Sequence, residues 1–261
     1  MVHPARELLE QDLIPYQAGV FEAARAVVLA PHPDDEVFGC GAAIASLRET
    51  GCEVVVFVAT DGGGFSTEVA ERARIAAVRL AESAAALGHL GGARIVEGGA
   101  PDRGVAAHAE PLAARLRALF AQVRPELVFV PAPCEIHPDH RGLTQAFLLA
   151  EAVLPAEVQV AFYEVSQPIA PNFLLDATRF AAAKERAIAE FASQNDGHDY
   201  PAFIRGLSAY RRMTLPRSVA AAEAFHVVAV ERLRRGDFAE LAALIGPSGR
   251  FRDPRDPKDR R

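Results

Sequence analysis

From about residue 26 to residue 165 the chain alternates two kinds of apolar pattern, and this alternation constrains the fold more than any other feature. Short runs at 26–29, 54–58, 127–130 and 158–163 are rich in β-branched residues and mostly apolar at consecutive positions, as strands buried on both faces require. Residues 94–96 form a weaker fifth run. Between these runs, segments 39–49, 67–87, 107–123 and 140–154 are rich in Ala, Leu, Arg and Glu, with apolar residues at helical spacing. Gly51 and Gly88 stand where helices would end in a left-handed residue, and Pro125 separates a helix from the next strand. Strand–helix alternation of this kind implies a parallel sheet with right-handed crossovers and helices on both faces. The expected fold is α/β: a Rossmann-like, doubly wound, mostly parallel sheet flanked by helices.

After residue 170 the pattern turns helical. It is clearest over 176–192, continues at 201–212, and is followed by a short apolar segment at 225–230. These elements are expected to pack around the end of the sheet. Residues 246–261 are rich in proline and charge and are expected to form a disordered tail. Residues 1–245 would then be a single domain, with 1–24 as its lead-in.

Composition narrows the functional classes. With 34 Asp and Glu against 28 Lys and Arg, the formal net charge is −6, a poor match to non-specific nucleic-acid binding. The three cysteines, Cys40, Cys52 and Cys134, include no C-x-x-C pair, which fits neither a disulfide framework nor a zinc ribbon. Residues 1–16 carry Glu7, Glu10 and Asp12, unlike a secretory signal, and no uncharged apolar stretch reaches the roughly 18 residues of a membrane span. A cytoplasmic protein with no nucleic-acid partner and no membrane span is expected, with homo-oligomerisation left open. No G-x-S-x-G elbow occurs, and no G-x-G-x-x-G follows the first strand, so a serine hydrolase and a nicotinamide cofactor are both disfavoured. The run Gly62-Gly63-Gly64 lacks the spacing of a phosphate loop and reads as a flexible lip.

Chemistry concentrates at two places. After the first strand the chain reads Pro31-His32-Pro33-Asp34-Asp35-Glu36, and after the fourth it reads Glu135-Ile136-His137-Pro138-Asp139-His140. Either block alone could be a helix cap beside a surface histidine. In the common strand order 3-2-1-4-5, however, strands one and four are neighbours, and ligands bind between their carboxyl ends. Two histidines and a carboxylate converging there match the protein ligands of a catalytic zinc site.

These blocks, with Gly39-Cys40-Gly41 and His137-Pro138-Asp139-His140-Arg141, resemble the PIG-L, or LmbE-like, zinc-dependent N-deacetylases. Thr60-Asp61-Gly62, Arg79 with Glu82, Pro101-Asp102, Lys184, Ser193-Gln194 and Ala222-Glu223-Ala224-Phe225 extend the likeness over about residues 26–230. The resemblance implies His32, Asp35 and His140 as metal ligands, Asp34 as general base and His137 as an electrophilic or acid group. The metal would be Zn2+, although two histidines and one carboxylate also suit Fe2+. The implied reaction removes an N-acetyl group from an amino sugar or glycoconjugate, with Asp34 taking a proton from the attacking water and His137 bonding the oxyanion. Asp139 would fix the tautomer or charge of a nearby histidine. Asp61, Arg79 and Asp102 are candidates for the sugar pocket, each with an ordinary alternative as a turn residue or solvated charge. Without tryptophan, Phe65 and Tyr200 are rings available for stacking on a sugar, or for packing.

One position departs from the family. Some members carry tyrosine two residues before the first histidine of the second block, where this chain has Glu135, which cannot donate a hydrogen bond when ionised. Glu135 is therefore given no catalytic role. His3, His89, His108, His198 and His226 stand outside the paired motifs and read as structural or exposed, and Cys134 as a small buried residue. Two other readings remain: a metal-dependent hydrolase of a different amide, such as an acylated natural product or thiol–sugar conjugate, and a metal-binding protein without catalysis.

Overall fold

The computed structural model describes residues 14–64, 68–195, 198–234, 236 and 238–246. The expected tail, apart from Gly246, and Phe65 lie outside the described residues. Seven strands form one sheet in the order β3-β2-β1-β4-β5-β7-β6. The parallel part comprises β1 (Arg25–Ala30), β2 (Glu53–Thr60), β3 (Arg94–Ala100), β4 (Leu127–Pro131) and β5 (Gln159–Tyr163). It has the 3-2-1-4-5 order expected from the alternation. β1, β2, β4 and β5 are buried along nearly their whole length. Burial on both faces explains their unbroken apolar runs. β3 is an edge strand with an exposed or half-buried first half, which accounts for its weak signature.

Helices α1 (Asp35–Glu49) and α2 (Val69–His89) follow β1 and β2, and α3 (Ala109–Val123) and α4 (Pro138–Ala150) follow β3 and β4. The sheet divides the interior into two apolar layers. Val28, Val56 and Phe129 pack with α1 and the end of α2 on one side, whereas Val27, Val55 and Val128 pack with α3 and α4 on the other. The β1–β4 pair is in parallel register from Ala26 opposite Leu127 to Val28 opposite Phe129. Both histidine blocks therefore leave the sheet at its carboxyl end from adjacent strands.

The C-terminal third differs from its helical expectation in two places. Residues 173–176 form β6 (Phe173–Asp176), so helix α5 (Ala181–Ala189) begins five residues later than Asp176. The apolar segment at 225–230 belongs to β7 (Ala222–Ala229), antiparallel to both β5 and β6. These strands extend the sheet instead of packing around its end. Their sequences hid this, because β6 is four residues long and β7 carries a buried glutamate, Glu223. The glutamate is satisfied only in three dimensions: its Oε1 and Oε2 accept from Ala42 N (2.7 Å) and Ala43 N (2.9 Å) inside α1, and Lys184 Nζ donates to Oε1 at 2.6 Å. Lys184 also donates to Phe38 O at 2.8 Å, joining α5, β7 and α1. Gly39 is needed here, since a Cβ at that position would lie 2.2 Å from the ring of the buried Tyr163. Two short helices, α6 (Ala192–Asn195) and α8 (Val230–Leu233), and two longer ones, α7 (Tyr200–Arg211) and α9 (Phe238–Ile245), complete the described chain. No helix among the described residues is long and apolar enough to cross a membrane.

Candidate active site

The β1–α1 turn holds His32, Asp34, Asp35 and Glu36 beneath the surface, all less than a tenth exposed. Asp34 caps α1 in a backbone conformation that non-glycine residues rarely adopt (φ 151°, ψ −34°). The neighbourhood fixes it there. Its N–H donates to Glu36 Oε2 at 3.0 Å, its carbonyl accepts from Val37 N and Phe38 N at 2.9 Å, and Arg79 Nη2 donates to its Oδ2 at 3.0 Å. Strain held by surrounding contacts is typical of functional positions. Glu36 is itself held by Ser83 Oγ from α2.

The β4–α4 turn brings in the second block. His137 caps α4, its Nδ1 accepting from Asp139 N at 3.2 Å, so the proton of the neutral ring resides on Nε2. The three imidazoles cluster: ring centroids are 4.7 Å apart for His32 and His137, 5.5 Å for His32 and His140, and 5.4 Å for His137 and His140. Asp35 Oδ2 sits 3.1 Å from His32 Nδ1 and 3.2 Å from His140 Nε2. The opposite nitrogen of His32 faces Asp139 Oδ2 (3.3 Å) and Asp102 Oδ1 (3.4 Å). Asp139 is fixed in turn by Arg103 N (2.6 Å) and Val105 N (3.2 Å).

Burying this many charges shapes their protonation. Burial, reinforced by Asp35, pushes the Asp34 carboxyl up to about 7 despite the opposing Arg79. Burial likewise takes Glu36 to about 7. Burial works against ionisation of Asp35 too, but His140 and His32 outweigh it and hold Asp35 far below the carboxylate range. For His140, burial opposes the charge while Asp35 and Glu135 favour it, and the ring is raised to about 9. Burial pulls Asp102 upward, but the bond to His32 and the charge of Arg79 bring it to about 2. Burial together with His32 and His140 lowers His137, which favours a neutral ring over a protonated acid near neutral pH.

Among the described residues, ligand atoms of His32, His137 and His140, and of His32, Asp102, His137 and Asp139, come close enough together to hold a metal ion. Asp35, with Oδ2 at 3.1 Å from His32 Nδ1 and 3.2 Å from His140 Nε2, belongs to neither group. Those two distances are His–carboxylate ion-pair contacts, in which Asp35 bridges the two rings. Burial opposes a charge on His32, but Asp102, Asp139 and Asp35 raise it, and a divalent cation would place positive charge among the same carboxylates.

The proposed substrate residues lie close by but are engaged. Asp61 pairs with Arg72 Nη2 at 3.0 Å and accepts from Gly63 N and Asp102 N. Arg79 is buried, not solvated, and spends its guanidinium on Asp34 and on Gly62 O (3.1 Å). Asp102 accepts from Gly64 N at 3.2 Å and faces His32. Tyr200 stacks on Phe38 (centroids 5.3 Å, 27°), a packing role. Three residues escaped sequence reasoning. Ser83 and Glu36 form a pair whose only signal is that Ser83 lies one helical turn beyond Arg79. Glu135 is fully buried, faces His140 and receives backbone N–H groups of residues 165–167. Its signal was the departure from the family pattern.

Diacetylchitobiose deacetylase of Thermococcus kodakarensis is 26% identical over 196 residues, covering 66% of this chain and 71% of that protein. The structure of N,N'-diacetylchitobiose deacetylase from Pyrococcus horikoshii superposes with a TM-score of 0.69 at 24% identity, covering 80% of this chain and 85% of the other. GalB, the 4-carboxy-2-hydroxymuconate hydratase of Pseudomonas putida, superposes with a TM-score of 0.63 at 23% identity, covering 78% and 95%. The structural likenesses establish a shared fold, and their different names show that this fold alone does not fix the chemistry. The sequence model of the PIG-L family, described as GlcNAc-PI de-N-acetylase, matches residues 27–151, a span that contains both histidine blocks. Over residues 27–151 this chain is similar to a PIG-L family domain.

Proposed function

We propose that the protein is a metal-dependent N-deacetylase that hydrolyses the N-acetyl amide of an amino sugar or glycoconjugate, releasing acetate and the free amine. The observation that carries this reading is the convergence of His32 Nδ1 and His140 Nε2 on Asp35 Oδ2, with Asp34 beside them and held by Arg79. His32, Asp35 and His140 would hold the ion. This is the set that the PIG-L likeness implies, and the close cluster of His32, His137 and His140 is the alternative. A bound divalent cation supplies Lewis acidity towards water and the amide carbonyl. Zn2+ suits the nitrogen and oxygen donors, as does Fe2+.

The chain's own residues divide the proton work. Asp34 takes the proton of the attacking water and returns it to the departing amine. Arg79 orients that carboxylate. His137 donates from Nε2 to the oxygen on which negative charge develops, and needs no second proton to do so. Asp139 and Asp102, on the far nitrogen of His32, orient that ring. An amino-sugar substrate is supported by the named activity of the Thermococcus relative and by the PIG-L likeness.

An acetate-release assay on purified protein, metal-free and reconstituted with Zn2+ or Fe2+, tests this reading with free and conjugated N-acetylglucosamine and diacetylchitobiose. Metal-dependent release that disappears in Asp34→Asn is expected. Release from acylated natural products but not from sugars would move the substrate class. Bound metal without turnover on any amide would reject the enzyme reading.

A further inference from the structure

Each histidine proposed as a ligand has a carboxylate at the nitrogen turned away from Asp35. For His32 these are Asp139 and Asp102; for His140 it is Glu135, whose Oε2 lies 3.5 Å from Nδ1. His140 Nδ1 is buried and has no hydrogen-bond partner that meets strict geometry, so this carboxylate is what it faces.

Glu135 is held independently of the histidine. Oε1 accepts from Val165 N (2.6 Å), Ser166 N (3.1 Å) and Gln167 N (3.3 Å), and Oε2 accepts from Ser166 N (3.2 Å). Three successive backbone N–H groups form a cradle for an anion. On its other side, Arg141 Nη1 donates to Glu135 O (2.6 Å) and Ile136 O (2.5 Å), fixing the turn that carries the side chain. A neutral glutamine could accept from the same N–H groups through its amide oxygen. The loop alone thus does not require a carboxylate at this position, and the charge has its counterpart in His140.

We propose that Glu135 is a positioning residue: anchored in the N–H groups of residues 165–167, its charge orients His140 with Nδ1–H towards Glu135 and Nε2 towards Asp35, and thereby tightens binding of a divalent cation. This rests on His140 being a metal ligand, as proposed above. It also gives position 135 a function that does not involve donating to an oxyanion.

The test is zinc affinity, measured by chelator competition on wild type, Glu135→Gln and His140→Ala, alongside melting of the metal-free forms. Glu135→Gln is expected to weaken zinc binding by about 10–100-fold, while its metal-free melting temperature falls only slightly. Wild-type affinity in Glu135→Gln, whatever its melting temperature, would reduce Glu135 to a loop anchor and overturn the proposal. Failure of the underlying reading looks different: wild type would bind no zinc, or His140→Ala would bind as tightly as wild type. Should Glu135→Gln fail to fold, Glu135→Asp, with its carboxylate one methylene further from His140, is expected to weaken zinc in the same direction. Unchanged affinity in that variant would count equally against the proposal.

Discussion

Arg79, on the second helix, places Nη2 3.0 Å from Oδ2 of Asp34, on the first β–α turn, with both side chains almost fully buried. A buried arginine–carboxylate contact fixes geometry more than it adds stability. Arg79 also donates to Gly62 O, tying the first β–α turn to the glycine-rich lip. Arg79→Lys retains charge but loses the planar fork. It is expected to lower kcat by about 10–100-fold with a smaller effect on KM, a misorientation signature. Steady-state kinetics on the metal-loaded variant checks this, and an effect confined to KM would instead make Arg79 a substrate-binding residue.

Ligand and base should separate cleanly in mutants. Alanine at His32, Asp35 or His140 is expected to abolish stoichiometric metal, measured by elemental analysis after dialysis. Asp34→Asn should retain metal and lose roughly 10²–10⁴-fold in rate, the usual worth of a general base. Loss of metal from Asp34→Asn would show that the division between Asp34 and Asp35 is wrong.

The buried Lys184–Glu223 pair should matter for stability and not for chemistry, because its hydrogen bonds go to backbone groups of the first helix and to each other. Removing one partner leaves the other charge uncompensated, which typically costs about 3–5 kcal/mol. Glu223→Ala also leaves Ala42 N and Ala43 N without this acceptor. Denaturant unfolding of Glu223→Ala and Lys184→Met should show losses of that order. Gly39→Ala, which drives a methyl into the Tyr163 ring, is expected to lose about 1–3 kcal/mol.

Cys134 should behave as an inert thiol. Burial, with Glu135 and Glu164 nearby, pushes it up to about 11. Only about a thousandth of it is then thiolate at pH 8, and alkylation tracks the thiolate. Iodoacetamide labelling of the native protein, read by mass spectrometry, is expected to be at least 100-fold slower at Cys134 than for free cysteine, and to rise about tenfold per pH unit from 8 to 10. Cys40 and Cys52 are buried and should label only in denaturant.

The sequence by itself determined the five-stranded parallel sheet and the meeting of the two histidine blocks. Both follow from local rules: unbroken apolar runs demand strands buried on two faces, and the order of such strands puts the turns after the first and fourth side by side. The sequence also marked Glu135 as anomalous. Tertiary structure alone decided what the charged residues do. Glu223 reads as a polar interruption in an apolar segment until Lys184 and two helix N–H groups, some 40 and 180 residues away, satisfy it. Arg79 reads as a solvated helix charge until Asp34 is brought against it. Glu135 reads as a failed donor until residues 165–167 supply N–H groups and His140 turns its Nδ1 towards it. A buried charge is tolerable only where partners converge from distant parts of the chain, and hydrophobic periodicity carries no record of those partners.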